Sequence, residues 1–437
     1  MNRLFLLLTA MIIYNLGFSQ NISLKEQALE KFKAEHYDDA INLLEQALEQ
    51  SPNNAEIYYY LGWFNHYRAY DSRPLKGYDY SYSERIFEYL DKALELNPNY
   101  GDAKYFYSAE CGVNAIEAMC NYNSDKLKYY YELAFKKGTF PDWLIEYGKN
   151  YLNACDKDAI LFAGGDADFN VCSYLQICED FRTDVTLIPI GFIDRPWYVN
   201  FLKNGLENGV RKINIEFTEK QIMDIHPFKW RETNVYLDIS PADRLKFGLS
   251  DDFRMEWALE PDLQSGRMHS KIEGEEPIKR TFLSPQRAIL LQIVEDNFTE
   301  RPIYFTNSAE PSFYGGLNEY FQNCGLVSKL LPIKTKDTKY QMEVSKMEQL
   351  FSAENFTYYR NVIENDFPRI SGVIMYGYSF ALISLADNYR NLGKERELKQ
   401  LIEFYNNQLK IDFDVEYEQM VLQELQKKLL PLNNFKE

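Results

Sequence analysis

Residues 158–168 read Asp-Ala-Ile-Leu-Phe-Ala-Gly-Gly-Asp-Ala-Asp, and this stretch decides the fold of the central part of the chain. Its apolar run is closed by Gly164 and Gly165, which predicts a buried strand followed by a tight turn. A helical pattern follows over 169–181, and a second apolar run over 184–191 predicts another strand. Because strands that alternate with helices form sheets covered on both faces, the pattern predicts a mostly parallel, Rossmann-like α/β domain.

The same alternation continues outward, which places the α/β domain at residues 151–345. Its further predicted elements are helices over 197–204, 285–294 and 316–323 and strands over 234–239, 301–306 and 329–333.

The strand ends of this domain supply the candidate ligand site, because ligands of open α/β sheets bind beyond the carboxyl ends of the strands. The residues found there are Gly164, Gly165, Asp166, Asp168, Asp194, Arg195, Trp197 and Asn307. The glycines would let the backbone approach a ligand closely. The two glycines do not complete a dinucleotide fingerprint, since no third glycine follows at the required spacing.

Asp166 and Asp168 form the candidate metal site, because two carboxylates one residue apart can hold a hard cation such as Mg²⁺ or Ca²⁺. The alternative is local turn chemistry, with Asp168 capping the following helix. Arg195 could clamp an anionic group and Trp197 could stack on a sugar face. The alternative for this pair is an ordinary salt bridge and a core aromatic residue.

A region of helical repeats is predicted at residues 21–150. The spacing of Ala40, Leu44, Ala47 and Pro52 recurs 46 residues later in Ile86, Leu90, Ala93 and Pro98. Forty-six residues correspond to one 34-residue repeat plus an insertion, placed in the Tyr-rich stretch over 71–82. A third, degenerate unit follows over 102–137. The small residues Ala47 and Gly62 should let paired helices approach closely, with Leu44 and Leu90 filling the seam.

These repeats resemble the tetratricopeptide-repeat family, whose arrays bind a peptide or a partner protein on one face. The residues predicted to line that groove are Tyr58, Leu61 and Asn65. The alternative is that so few repeats serve only to pack against the next domain.

The two ends of the chain differ in character. Residues 1–20 carry Arg3, an apolar run and small residues, which is typical of a secretory signal peptide. The protein is therefore expected to be exported, periplasmic or extracellular, with no transmembrane segment after cleavage. Residues 346–437 are predicted to be helical, with Gly393 ending one helix of a hairpin.

The overall composition narrows the classes of partner. With 48 Lys+Arg against 65 Asp+Glu, the formal net charge is −17, which argues against binding of nucleic acid or of anionic lipid. The six cysteines show no disulfide framework, and the four scattered histidines do not support a metal centre of His and Cys.

Several spaced blocks in the α/β region resemble one family. They are the stretch ending in Gly-Gly-Asp-Ala-Asp168, Tyr174-Leu-Gln176, Arg182-x-Asp-Val185, Pro196-Trp-Tyr198, Arg301-Pro-Ile-Tyr-Phe305 and the residues from Gly316 to Pro332. Over about 150–420 the chain is similar to the extramembrane C-terminal domain of bacterial protein O-mannosyltransferase-like membrane proteins. It departs from that pattern at Ala167, where the family has Asn, and at Ser173, where the family has Trp.

The resemblance implies an extracytoplasmic domain that does not transfer sugar by itself. In such enzymes sugar transfer belongs to the multi-pass membrane part, and this chain carries helical repeats in the place of that part. The sequence thus indicates an exported, non-catalytic interaction protein of the bacterial envelope. The alternative is a sugar- or nucleotide-sugar-binding protein, or an enzyme accessory to envelope glycosylation, with a divalent cation at Asp166 and Asp168.

Overall fold

The computed structural model describes residues 23–71, 77–206, 210–263, 281–309, 311–365 and 367–430. The predicted signal peptide and residues 72–76 of the predicted insertion lie outside the described residues. The chain divides into two units, one ending at Phe106 and the other beginning at Tyr107, whereas the sequence pattern predicts a boundary between the repeats and the α/β domain near residue 150.

The first unit consists of antiparallel helical hairpins. Its helices are α1 (Leu24–Lys33), α2 (Tyr37–Gln50), α3 (Ala55–Asp71) and α4 (Ser83–Leu96), followed by the start of α5 (Gly101–Cys120). Ser23 begins α1 through a capping box with Glu26, in which each residue's side chain accepts the other's backbone N–H. Each helix packs on the next along the chain, from α1 to α4.

The seam between α3 and α4 depends on Gly62. A methyl group at this position would lie 2.6 Å from Cδ2 of Leu90, which is fully buried. Leu44 and Leu61 belong to the apolar core formed by α1, α2 and α3. The predicted close approach of paired helices at Gly62 is therefore confirmed.

The second unit contains the remainder of α5, the helices α6 (Ser124–Lys136) and α7 (Asp142–Ala154), and a five-stranded sheet. The strands of this sheet are β1 (Ile160–Ala163), β2 (Thr186–Pro189), β8 (Ile303–Thr306), β9 (Phe321–Asn323) and β10 (Val327–Leu330), in the spatial order β2-β1-β8-β10-β9. Helix α8 (Asp166–Glu179) connects β1 to β2. All four residues of β1 are buried, as the apolar run predicts.

The sheet is mixed, which corrects the prediction of a mostly parallel one. Strand β1 pairs in parallel with β2 and β8, but β10 pairs antiparallel with both β8 and β9. The predicted helix over 316–323 is also wrong: a short 3₁₀ turn at Leu317–Tyr320 leads directly into β9. Gly316 has a φ of 99°, and a Cβ at this position would lie 2.5 Å from the carbonyl oxygen of Ala258, so only glycine fits this turn.

An insertion of helices and small sheets separates β2 from β8. Its elements are α9 (Pro196–Asn204), α10 (Glu219–Met223), β3 (Phe228–Lys229), β4 (Asn234–Leu237), α11 (Pro241–Phe247), β5 (Met255–Ala258), β6 (Asp262–Leu263), β7 (Thr281–Leu283) and α12 (Pro285–Asn297). The predicted strand over 234–239 is present as β4, but it pairs with β5 in a separate two-stranded sheet.

The C-terminal part is helical. It contains α13 (Val344–Leu350), α14 (Pro368–Asn391), α15 (Glu395–Phe404) and α16 (Val415–Lys427). Gly393, with a φ of 67°, closes α14 as predicted, and the Lys394 N–H bonds to the Tyr389 carbonyl 2.8 Å away. Within the described ranges, α14 alone is long and apolar enough to cross a membrane; 56% of its most apolar stretch is buried in the protein, as in a core helix.

Candidate functional site

The predicted groove on α3 is corrected by the structure. Leu61 is fully buried and Asn65 is 1% exposed, with its side-chain amide donating to the Leu61 carbonyl at 2.7 Å. Tyr58 is half-buried and lies near Tyr89, with ring centroids 6.4 Å apart. Because Leu61 and Asn65 lie one turn apart and are both buried, this side of the helix faces the core and not a partner.

A different side of α3 presents aromatic residues outward. Tyr60, Trp63 and Tyr67 are spaced so that they share one side of the helix, and Tyr67 is 40% exposed. Trp63 contacts Phe32 of α1 and Phe106 of α5, at 5.1 Å and 5.3 Å between ring centroids.

We call these five residues, Phe32, Tyr60, Trp63, Tyr67 and Phe106, the aromatic face. The first helices of three successive hairpins contribute to it. Its signal in the sequence is the i, i+3, i+7 spacing of Tyr60, Trp63 and Tyr67, which the predicted groove residues do not include.

The strand-end turn after β1 is tightly built at its first glycine and open at its second. A methyl group on Gly164 would lie 2.5 Å from the backbone nitrogen of Ala309, and the Gly164 N–H donates to Thr306 Oγ1 at 2.9 Å. Gly165 is exposed, with open space around its Cα. The turn therefore brings the ends of β1 and β8 into direct contact.

The two aspartates of the candidate metal site do not converge. Asp166 is exposed at the start of α8, whereas Asp168 is 1% exposed and accepts a hydrogen bond from the Ser308 hydroxyl. Positions i and i+2 of a helix point to nearly opposite sides, so one ion cannot take both carboxylates. Burial raises the pKa of Asp168, and nearby hydroxyls oppose that rise. Among the described residues, no group of three or more His, Cys, Asp or Glu side chains could hold a metal.

The other predicted ligand residues have neighbours of their own. In the turn before α9, Asp194 pairs with Arg195 at 3.1 Å, and Trp197 is half-buried in the first turn of α9. Asn307 follows β8, donates to the Gly325 carbonyl at 2.6 Å and accepts from the Ser328 hydroxyl at 2.8 Å. The pairing of Arg195 with Asp194 is the salt bridge predicted as the alternative role of Arg195.

Several residues of the family motifs join elements of the second unit. The Arg182 guanidinium donates to the Leu152 carbonyl at 2.7 Å and pairs with Asp184 at 2.8 Å. This pairing lowers the pKa of Asp184 to about 2. Gln176 donates from its side-chain amide to the carbonyl of Val185 at 2.7 Å. The end of α7, helix α8 and the start of β2 are thus tied together by side chains, which accounts for these motif residues without a ligand.

Arg301 has a similar role beside β8. Its guanidinium donates to the Asp158 carbonyl at 2.7 Å and to Thr186 Oγ1 at 2.7 Å, so it joins the starts of β1 and β2. Burial lowers the pKa of Arg301 to about 10.

Comparison with known proteins agrees with the division into repeats and a second domain. The tetratricopeptide-repeat model matches residues 28–63, and the model of TMEM260-associated domain 2 matches residues 144–239 and 261–349, which is less than half of the chain. The chain is therefore similar to tetratricopeptide repeats over one stretch and to TMEM260-associated domain 2 over another. This confirms the resemblance to tetratricopeptide-repeat proteins, and the fusion with a second domain of a distinct family.

A curated relative matches in part. The interferon-induced protein with tetratricopeptide repeats 2 from Cricetulus griseus is 32% identical over 122 residues, which are 27% of this chain. The match spans 25% of that relative's length, so the likeness concerns repeats and not a whole protein. Tetratricopeptide repeats point to a protein-interaction role.

Proposed function

We propose that this protein is an exported, non-catalytic interaction protein of the bacterial envelope, which binds a peptide segment of a partner on its aromatic face. The observation that carries the proposal is the contact of Trp63 with Phe32 and with the buried Phe106, by which rings of α1 and α5 hold the partly exposed rings of α3 in place. Partly exposed Tyr and Trp side chains are favoured in binding surfaces because they combine apolar area with a hydrogen-bonding group.

The charge of the first unit supports a basic partner. Residues 23–106 carry nine Lys+Arg and fifteen Asp+Glu, an excess of six acidic side chains. Opposite charge steers association and suppresses like-charged competitors. The segment that binds should therefore combine apolar side chains with Lys or Arg.

The test is selection of peptides from a displayed random library on the immobilised full-length protein. The selected peptides should be apolar and basic, and the Tyr60→Ala/Tyr67→Ala double variant should bind them at least about tenfold more weakly. Gln46→Ala on α2, at an exposed and uncharged position outside the aromatic face, is the control and should bind as the wild type does. Equal binding by the double variant and the wild type would refute the proposal.

Export has its own test. A tagged full-length chain, expressed in a bacterium with a signal-peptide pathway, should appear in the periplasmic or medium fraction and lack about twenty N-terminal residues. N-terminal sequencing of the recovered protein locates the cleavage. Retention in the cytoplasm with Met1 intact would refute export.

We propose sugar binding by the second unit as a second function, accessory to envelope glycosylation. The specific observation that favours it is an aromatic and acidic groove beside α7, which is separate from the strand-end turn. A divalent cation at Asp166 and Asp168 is not part of this proposal, since the two carboxylates face different surroundings.

A further inference from the structure

An open groove of about 480 Å³ lies in the second unit, between helices α6, α7 and α8 and the turn over 354–358. We call it the Glu146 groove, and the lining residues that matter here are Phe135, Glu146, Lys149, Tyr174, Glu179 and Tyr358. Its volume is within the range of sites that bind small molecules. None of these residues was proposed for a ligand from the sequence.

Aromatic rings form two walls of the groove. Phe135 stacks on Tyr174 with centroids 5.0 Å apart and planes inclined by 10°, and it leaves 46% of its side chain exposed. Tyr358, on the turn at the other wall, is 44% exposed. Partly exposed rings that are already held by packing offer flat apolar faces to a ligand at little entropic cost.

Hydrogen-bonding groups lie between these rings. Glu146 accepts the Tyr358 backbone N–H at 3.2 Å, and Glu179 accepts the Tyr174 hydroxyl at 2.9 Å. Burial raises the pKa of Glu146 to about 7, so near neutral pH its carboxyl can both donate and accept hydrogen bonds. The exposed amide of Asn153 makes no side-chain hydrogen bond to any other described residue. A ligand rich in hydroxyls needs this mixture of donors and acceptors.

The charges of the groove exclude an anionic occupant. Carboxyl groups of Asp142, Glu146, Glu179 and Glu354 line it, against the single ammonium group of Lys149. That ammonium lies 5.9 Å from the centre of the Phe181 ring. Phosphates and nucleotides are held mainly by Arg, Lys and backbone N–H groups, and this lining would repel them.

We propose that the Glu146 groove is a carbohydrate-binding site for a short neutral glycan. Phe135 and Tyr358 stack on the faces of its sugar rings. Glu146 and Glu179 hydrogen-bond to its hydroxyl groups. The proposal rests on the second function proposed above, sugar binding by the second unit, and it names the site and the class of sugar.

The experiment measures binding of the purified full-length protein to a glycan array that presents neutral hexose and N-acetylhexosamine oligosaccharides beside sialylated and phosphorylated ones. The wild type should bind neutral glycans, and Phe135→Ala and Tyr358→Ala should each weaken that binding about threefold to tenfold. Tyr129→Ala is the matched control, because Tyr129 is also on α6, is 55% exposed and does not line the groove. Thermal unfolding checks that each variant is folded. Glu146→Gln keeps the side chain's size and provides a further variant that does not disturb the Phe135 stack.

The possible outcomes distinguish failure of the Glu146 groove proposal from failure of sugar binding by the second unit as a whole. Loss of neutral-glycan binding in the groove variants, with the control unchanged, supports the proposal. Equal binding of neutral glycans by all variants overturns the groove as the site, and it places sugar binding at another surface of the protein. A preference for phosphorylated or sialylated glycans also overturns the groove as described. No binding to any glycan overturns both the groove and the second function.

Discussion

Gly164 and Gly165 are neighbours in the sequence, but only the first has no space for a side chain. A Cβ on Gly164 would lie 2.5 Å from the nitrogen of Ala309, whereas the surroundings of Gly165 are open. A backbone atom cannot move aside as a flexible side chain can, so the strand-end turn itself would have to shift.

Alanine substitutions at these two positions test this difference. Gly164→Ala should lower the free energy of unfolding by about 1–3 kcal/mol, and Gly165→Ala should change it by no more than about 0.5 kcal/mol. Urea unfolding of both variants provides the measurement. Similar values for the two would show that the end of β1 does not approach Ala309 as closely as described.

Glu146 should make stability depend on pH. Burial raises its pKa to about 7 in the folded protein, from an ordinary value of 4.5. Between these values the folded state binds more protons than the unfolded state, so this contribution to stability is complete below pH 4.5 and is lost as the pH rises through 7.

Glu146→Gln should remove that part of the pH dependence. Urea unfolding from pH 4.5 to pH 8 should show the wild type losing stability relative to the variant as pH rises. The exposed Glu354, changed to Gln, is the control and should leave the wild-type slope in place. Parallel curves for the wild type and Glu146→Gln would mean that the carboxyl titrates as it does in the unfolded chain.

Among the elements, α3 and α4 show how a single small residue sets the distance between two helices. Gly62→Ala places a methyl group 2.6 Å from Leu90, so it should destabilise the protein by about 1–3 kcal/mol. Leu90→Ala alone should cost about 2–5 kcal/mol, because it leaves a cavity. The double variant should cost clearly less than the sum, since the new methyl group fills part of that cavity. Additive values in urea unfolding would contradict direct packing of these two residues.

Strands and helices with a strong local pattern could be predicted from the sequence. The apolar runs gave β1, β2 and β8, and Gly393 gave the end of α14, because burial and a left-handed glycine leave local signals. The antiparallel pairing of β9 with β10 could not be predicted, since the pairing of strands depends on tertiary context more than on the local sequence. Helix α16 lies within the stretch predicted to be helical, but its own bounds were not predicted.

The candidate residues were harder to predict than the elements. Leu61 and Asn65 are on a true repeat helix, but their burial depends on packing against helices distant in sequence, which no local pattern shows. The Glu146 groove combines α6, α7, α8 and a turn some 200 residues later, and no local pattern joins these segments.

At the scale of the whole molecule, the six cysteines are all free thiols, and Cys111, Cys155, Cys172 and Cys324 are buried. Burial raises the pKa of Cys155 and Cys324 to about 12, so few thiolates exist at neutral pH.

Protein isolated without reductant should therefore show six reactive thiols in guanidinium and far fewer, reacting slowly, in its native state. A thiol reagent such as Ellman's measures both. Only four thiols in guanidinium would indicate a disulfide formed on export, contrary to the structure.

The contacts of Arg182 also bear on how well the protein resists proteolysis. The linker between α7 and β1 is irregular in conformation, yet Arg182 holds the carbonyls of Cys155 and Asp156, and Asp184 accepts the Asp158 N–H at 3.1 Å. A protease cleaves where a segment can open locally, and here the linker's backbone groups are already engaged. Cleavage at this linker therefore requires Arg182 and the start of β2 to come away together, so the linker is as protected from digestion as the strand it precedes.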